Sequence, residues 1–526
     1  MSSNIVLLII DSLRSDKFFH KDTTSKKPCI DNLIKNGTYF SNAISPADGT
    51  ILSWSSIFTG NYPFKTGIRS SRFNKLDDKI VTIFDHLKKL NYSFYGFFPT
   101  FSETINLFPN FENENHLYDF TETLDTGLGK KILSIFPSLS KNQPWFLTIH
   151  LMDLHFPLLV PDNFNYEKFG FSKYEKIISS IDYWLEKFIK NINFKNTILI
   201  ITADHGAYIK KIKTKSGIID FEDDGKKEVL KKKFTKRTPK YLKPLKDKIF
   251  FSMEEKKRSA KLKTLSKFDL NSSEKRALLL GQFSTDHVLF DDAVHVPFLF
   301  IGKNISKDKL FSKQVSIVDL LPTLAYLLDI DFDYFSCDGK NLFPLKNEEI
   351  YHEIPAYIES TPLIDMKSND VIGIRTSDFK YFRDKNSKNE RVHLYNLVND
   401  PLEENNCAVT NKAKVSEMEE LLQKLLDSQK KIDYNEDQLT SNEIENELRK
   451  MGADIVITGT SAIISGPSIL SGAKVTALDV RAGAAVLLAA LSATGTSVIT
   501  EIQHLDRKYD NLQDKFESLG AKMERS

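Results

Sequence analysis

The stretch Asn4-Ile-Val-Leu-Leu-Ile-Ile10, followed at once by Asp11, decides the fold. From Ile5 to Ile10 there is no polar alternation, so both faces of this segment must be covered. That is the pattern of a strand inside a parallel sheet. Three further runs read the same way: Trp145-Phe-Leu-Thr-Ile-His-Leu151, Asn196-Thr-Ile-Leu-Ile-Ile-Thr202 and Val296-Pro-Phe-Leu-Phe-Ile301. Helical spacing lies between them, as from Ser172 to Ile189. Strands alternating with helices predict an α/β fold, a mostly parallel central sheet between helices. Ligands in such sheets bind beyond the carboxyl ends of the strands. The residues just past the strands are Asp11, then Asp153 and His155, then Asp204 and His205. A single Asp there is usually a turn former or helix cap. Three strand ends all bearing Asp or His predict a divalent-cation site, with Mn²⁺ or Zn²⁺ favoured by the imidazoles and Ca²⁺ an alternative.

The whole chain has room for more than this sheet. Its 526 residues allow one large α/β domain plus an appendage, and 41% hydrophobic residues exclude global disorder. The balance of 72 Lys+Arg against 70 Asp+Glu excludes a wholly basic nucleic-acid binder. Cys29, Cys337 and Cys407 lie far apart with no CxxC pair, so they are expected to be reduced core thiols. No run has the length of a transmembrane helix and the opening has no signal-peptide pattern, so the expected compartment is the cytosol.

Ordered motifs then carry a resemblance. Asn4 to Asp16, Pro28 to Ala43, Thr50-Ile-Leu-Ser-Trp-Ser-Ser-Ile-Phe-Thr-Gly60-Asn-Tyr-Pro63, His150-Leu-Met-Asp153-Leu-His155-Phe-Pro157, Thr202-Ala-Asp204-His205-Gly206 and Asp286-His287 to Pro297 follow one another. With Val315 to Thr323 and Leu394 to Glu403, the set resembles the sulfatase-like family of the alkaline phosphatase superfamily over about 4–406. The resemblance implies an alkaline phosphatase-like sheet, with Asp11, Thr50, Asp204 and His205 around a metal. It implies that His155 and His287 contact the transferred group or protonate the leaving group. A second arrangement places Asp153, His155 and His287 around a second ion. Ser12 stands where a second Asp is common. Arg14 is read as a structural ion pair or a bridge between site carboxylates, and His150 and His295 as structural.

The nucleophile position separates the chemistries. The resemblance places it ten residues before Gly60, at Thr50. Sulfatases that oxidise a Cys or Ser to formylglycine carry Pro and Arg after it, where this chain has Leu52 and Trp54. Threonine cannot give that aldehyde, because its Cβ also bears a methyl group, so no formylglycine is expected. A metal-activated threonine suits phosphoryl chemistry through a phosphothreonine. The expected function is therefore a metal-dependent hydrolase or transferase of phosphate esters, with sulfate esters next in line. The alternatives are a sulfuric ester hydrolase using unmodified Thr50, a non-catalytic anion-binding protein and an enolpyruvyl transferase fragment.

Two segments stand outside that core. Residues 207–285 are a basic insertion; from Ala207 to Phe268 it holds 21 Lys+Arg against 8 Asp+Glu, densest at Lys231-Lys-Lys-Phe-Thr-Lys-Arg237. It is either a solvated excursion or a lid that attracts an anionic polysaccharide or lipid headgroup; no nucleic-acid module is apparent. The catalytic domain is placed at 1–430, a polar linker at 431–440, and an appended small α+β unit at 441–526. Leu448-Arg-Lys-Met-Gly-Ala-Asp454, Leu470 to Ala473, Asp479-Val-Arg481-Ala482 and His504-Leu-Asp-Arg507 resemble the last repeat of UDP-N-acetylglucosamine enolpyruvyl transferase. The resemblance implies that Asp479, Arg481 and Arg507 face a phosphate pocket in the complete enzyme. A lone repeat exposes apolar surface, so a homo-oligomer through this unit is expected.

Overall fold

A computed structural model describes the chain apart from residues 1–2, 20–22, 70–74, 78, 140–143, 216, 223–260, 281–286, 334–335, 346–350, 352, 363–367, 428–444, 459–460, 466–467, 478–479, 507–510 and 526. It divides into two compact units, Met1–Leu425 and Leu426–Ser526.

The first unit is built on an eight-stranded sheet. Its order is Lys309–Phe311, Thr38–Phe40, Phe298–Gly302, Thr197–Thr202, Asn4–Ile10, Trp145–Leu151, Ser93–Pro99 and Leu117–Tyr118. Asn4–Ile10 is buried along its whole length and pairs in parallel with Trp145–Leu151 on one side and Thr197–Thr202 on the other. Helices such as Pro28–Lys35 and Lys173–Ile189 bury their apolar faces, the latter entered through a Ser172–Glu175 capping box.

One expected parallel strand differs. Pro297 divides the run 296–301, so that His295–Val296 pairs with Ala43–Ile44, while Phe298–Gly302 runs antiparallel to both of its sheet neighbours. The reason is where the chain comes from. The Ala293 carbonyl accepts from Gly206 N at 2.7 Å, just past the carboxyl end of Thr197–Thr202. The chain therefore enters this strand from the site end and can only run back against the others.

A separate four-stranded antiparallel sheet, Ala356–Glu359, Val371–Arg375, Phe379–Asp384 and His393–Asn396, carries its own apolar cluster around Leu289, Phe290 and Val294. Of the basic insertion, the described parts are a hairpin, Lys211–Thr214 with Gly217–Asp220, and the helix Ser272–Leu279, packed around Ile219, Leu265, Leu270 and Leu278. Lys210 Nζ caps that helix at the Ala277 carbonyl, 2.8 Å away. The densest basic stretch, 231–237, lies outside the described residues, as does the linker at 431–440.

The second unit holds an antiparallel pair, Asp454–Thr458 with Ser461–Ser465, and a parallel pair, Lys474–Thr476 with Val498–Thr500. The helix Val480–Ser492 joins the parallel strands, as such a pair requires. Its interior is small, centred on Met451, Val475 and Val486, and Ile464, Ile469 and Leu519 are exposed.

Candidate active site and metal centre

Strand register assembles the site. Ile9 lies level with His150 on one neighbour and with Thr202 on the other, so the next residues of all three strands emerge together. Asp11 N donates to the Leu151 carbonyl at 2.9 Å, which seats Asp11 at the end of the sheet. Asp204 and His205 emerge beside it. Ser12 has φ +61°, an unusual left-handed conformation for a side-chain residue. Its N–H donates to Asp204 Oδ1 at 3.2 Å and its hydroxyl to Asp11 Oδ1 at 2.5 Å, so the turn ties the two carboxylates together.

The helix Thr50–Thr59 delivers the hydroxyl. Its N-cap is Gly49 in extended conformation with no side-chain cap, and it ends on Gly60 at φ +67°. Thr50 therefore opens the helix, where backbone N–H groups have no intrahelical acceptor. Its Oγ1 donates to Asp11 Oδ2 at 3.2 Å and lies 3.4 Å from His205 Nε2.

The donor set suits a cation. Asp11, Asp204 and His205 are buried, and each brings one ligand atom to within 4.8 Å of the others. His205 Nδ1 lies 2.7 Å from the Gly206 carbonyl, a contact that puts the ring proton on Nδ1 and leaves Nε2 with its lone pair. Asp204 Oδ2 is buried without a hydrogen bond. An orphan carboxylate oxygen and a free imidazole lone pair, 3.7 Å apart, are what a Mn²⁺- or Zn²⁺-sized ion would satisfy.

The electrostatics fit the same picture. Burial pushes the Asp11 carboxyl up, but His150, His155 and His205 outweigh it and hold Asp11 well below the usual carboxylate range. Burial, with Asp11 alongside, pushes Asp204 up. Burial opposes the charge of His205, yet Asp204 and Asp11 raise its pKa. Two buried carboxylates facing each other, one of them with its pKa raised, make a site that a cation would relieve.

The remaining expected residues divide. His155 contributes to the field on Asp11. His287 lies between two carboxylates, Nδ1 at 3.6 Å from Asp48 Oδ2 and Nε2 at 3.8 Å from Asp370 Oδ1. Burial opposes its charge, but Asp48 and Asp370 raise its pKa. Asp153 Oδ1 accepts from Leu124 N at 3.0 Å, at the start of a helix, its Oδ2 is buried without a hydrogen bond, and burial pushes its carboxyl up to about 7. Arg14 sits between Asp16 and Asp292, with contacts of 2.8 and 2.5 Å. His295 Nε2 lies 2.8 Å from the Ser41 carbonyl. Arg481 falls in the helix Val480–Ser492; Asp479 and Arg507 lie outside the described residues.

Sequence reading passed over Asp48 and Asp370, and treated His150 as structural. Asp48 immediately precedes Gly49, which caps the helix Thr50–Thr59, a position that could have drawn attention. Asp370 lies in the separate sheet region with no motif to mark it.

The sulfatase family model matches residues 3–330, which include every residue of this centre except Asp370. The chain belongs to the sulfatase family. It is thus an enzyme of sulfatase type by family. Solved sulfatase-fold structures agree in fold. One is a 2-O GAG sulfatase (TM-score 0.57, 16% identity, covering 82% of this chain and 94% of that one). Another was solved with its substrate D-glucosamine-2-N,6-O-disulfate (TM-score 0.56, 14% identity, 83% and 100% covered). A third comes from the glycosaminoglycan metabolism of Bacteroides thetaiotaomicron (TM-score 0.53, 18% identity, 81% and 99% covered).

Residues 437–516 match a second model, EPSP synthase (3-phosphoshikimate 1-carboxyvinyltransferase). There the sulfatase-family chain is similar to UDP-N-acetylglucosamine 1-carboxyvinyltransferase of Desulfosudis oleivorans, 52% identical over 80 residues, 15% of this chain and 19% of that protein. The Clostridium acetobutylicum protein named UDP-N-acetylglucosamine 1-carboxyvinyltransferase 2 is 54% identical over 80 residues, again 15% and 19%. The chain spans about one fifth of the length of these curated relatives. No helix among the described residues is long and apolar enough to cross a membrane.

Proposed function

We propose that this sulfatase-family chain is a metal-dependent hydrolase or transferase of phosphate esters, with Thr50 as its nucleophile. The observation that carries the reading is the Thr50 hydroxyl, 3.2 Å from Asp11 Oδ2 and 3.4 Å from His205 Nε2, in a site where the residues needed to make formylglycine are absent. Asp11, Asp204, His205 and Thr50 would hold the ion. Bound there, it would stabilise the threonine alkoxide and draw charge from the ester oxygens.

The chain's own residues supply the rest. The open first turn of Thr50–Thr59 offers N–H groups to the phosphate. Thr50, its proton given up to solvent, attacks phosphorus through Oγ1, and the P–O bond to the leaving alcohol breaks. His287, whose pKa Asp48 and Asp370 raise, or His155 gives that alcohol its proton. Water, or a second alcohol, then releases the phosphothreonine, giving hydrolysis or transfer.

The substrate class we assign is an anionic glycan or lipid-linked ester, drawn by the basic insertion, whose Ala207–Phe268 part has a net charge of +13. We place the enzyme in the cytosol, where Cys29, Cys337 and Cys407 would persist as thiols. The C-terminal unit is assigned packing or self-association rather than enolpyruvyl transfer, since it matches only one fifth of that enzyme and leaves Ile469 and Leu519 exposed.

A second reading, hydrolysis of sulfate esters by unmodified Thr50, draws support from the glycosaminoglycan sulfatases of the same fold. One experiment separates the two. With Mn²⁺ or Zn²⁺ added, turnover of bis-p-nitrophenyl phosphate, p-nitrophenyl phosphate and p-nitrophenyl sulfate is compared. Phosphate-ester turnover is expected to dominate, with phosphate trapped on the Thr50 peptide and at least a ~10³-fold loss in Thr50→Ala. Preferential sulfate turnover supports the second reading, and sulfate hydrolysis surviving in Thr50→Ala would sink both.

A further inference from the structure

His150 is fully buried on the strand Trp145–Leu151, and its two ring nitrogens are treated differently. Nδ1 accepts a hydrogen bond from the Trp54 indole N–H at 3.0 Å. An indole nitrogen can only donate, so His150 Nδ1 must be the unprotonated nitrogen and the ring proton sits on Nε2. Nε2 is buried and makes no hydrogen bond. The group ahead of it is Asp11 Oδ2, at 3.6 Å. That oxygen is the same one that accepts from Thr50 Oγ1.

Trp54 is itself held firmly. Its ring stacks on Phe101 at 5.5 Å and meets Phe98 and Phe108 edge-on at 5.7 and 5.2 Å. It lies one turn past Thr50 on the same helix, at the position where formylglycine sulfatases carry Arg. The nucleophile helix thus bears both the hydroxyl that meets Asp11 and the indole that fixes the ring behind Asp11.

We propose that Trp54 and His150 are positioning residues: Trp54 fixes the His150 tautomer, and the resulting Nε2–H holds the Asp11 carboxylate in place for metal and Thr50. The inference rests on the metal-dependent reading above. Groups that orient ligating side chains typically change metal affinity by about 10–100-fold when removed.

The test uses the full chain, stripped of metal, with Mn²⁺ titrated by calorimetry into wild type, Trp54→Phe, His150→Phe and His150→Gln. The Trp54→Phe change keeps an aromatic ring, removes the donor and leaves a smaller side chain in a fully buried position. His150→Gln restores an amide N–H near the Nε2 position. Trp54→Phe and His150→Phe are expected to bind Mn²⁺ about 10–100-fold more weakly, and His150→Gln to recover to within about threefold of wild type. Metal-free Trp54→Phe, with its cavity, and His150→Phe, with a stranded indole N–H, are expected to melt lower than wild type, so affinities are compared at a temperature where every variant is folded. Equal Mn²⁺ affinities in all four proteins overturn the proposal alone, as does a His150→Gln no better than His150→Phe. Wild type that binds neither Mn²⁺ nor Zn²⁺ overturns this and the metal-dependent reading together. A measurement independent of metal is the ¹⁵N spectrum of the imidazoles in wild type, assigned by loss of the His150 signals in folded His150→Gln. Protonated Nε2 is expected, and protonated Nδ1 overturns the proposal.

Discussion

Asp11 and Asp204 are a like-charged pair forced together by strand register, and the strain falls on Asp204. Burial and the neighbouring Asp11 raise its pKa, while the histidines keep Asp11 ionised. A carboxyl whose folded pKa is raised binds more protons folded than unfolded. Its cost is absent below the unfolded value, grows as pH rises from there toward the folded one, and is complete above it. Metal-free wild type should therefore lose stability as pH rises above the ordinary Asp value of about 4, and Asp204→Asn should lose less. At pH 8 the variant is expected to melt higher than metal-free wild type. Mn²⁺ should reverse that order: at 100-fold over its Kd, wild type gains about 2.7 kcal/mol while the variant gains little. Scanning calorimetry with and without Mn²⁺ checks this, and a variant that Mn²⁺ stabilises as much as wild type would remove Asp204 from the site. At this scale, the clustering of Asp11, Thr50, Asp204 and His205 was legible because strand ends and motif spacing mark them. His150, Asp48 and Asp370 were not. His150 lies inside a strand, where an imidazole reads as core, and its meaning comes from Trp54, 96 residues away.

Elements place these residues by close approach, and glycine permits it. Gly206 follows His205 and donates its N–H to the Ala293 carbonyl at 2.7 Å. A Cβ on Gly206 would stand 2.1 Å from the Asp292 carbonyl oxygen, with backbone rather than a flexible side chain in the way. The 291–294 turn cannot yield easily, since Asp292 is gripped by Arg14 and Arg276 and Asp291 by Arg375. Gly206→Ala must therefore shift His205, whose Nδ1 faces the Gly206 carbonyl. Turnover is expected to fall at least tenfold with folding largely kept, because a ligand displaced by about 1 Å costs about 10²-fold. A kcat/KM within twofold of wild type would show that the turn adapts. This contact also explains why the direction of the strand Phe298–Gly302 escaped a reading by hydrophobic pattern. Burial on both faces is common to parallel and antiparallel central strands, so composition marks the strand and only the entry point of the chain sets its direction.

Charge and length divide unevenly over the whole molecule. The basic segment Ala207–Phe268 carries +13 of a net +2, leaving the rest acidic. Its described flanks are fastened to the first unit: Arg276 reaches Asp292 and the Glu403 carbonyl at 3.0 Å each. The second unit has none of the centre's residues. Asp11, Thr50, Asp204, His205 and His287 all precede Leu425, and the second unit's match to the carboxyvinyltransferases ends at one fifth of their length. A chain stopped after Asp427, where the helix Lys412–Asp427 ends, keeps the eight-stranded sheet and the four-stranded sheet entire. It should bind Mn²⁺ with wild-type affinity and turn over bis-p-nitrophenyl phosphate within about twofold, a change of less than 0.5 kcal/mol. The full chain should show no binding of UDP-N-acetylglucosamine by calorimetry. Because Ile464, Ile469 and Leu519 are exposed in the second unit, its removal should also lower any self-association seen by sedimentation. Loss of turnover in the shortened chain, with its melting temperature unchanged, would mean that the second unit acts on the catalytic centre rather than merely travelling with it.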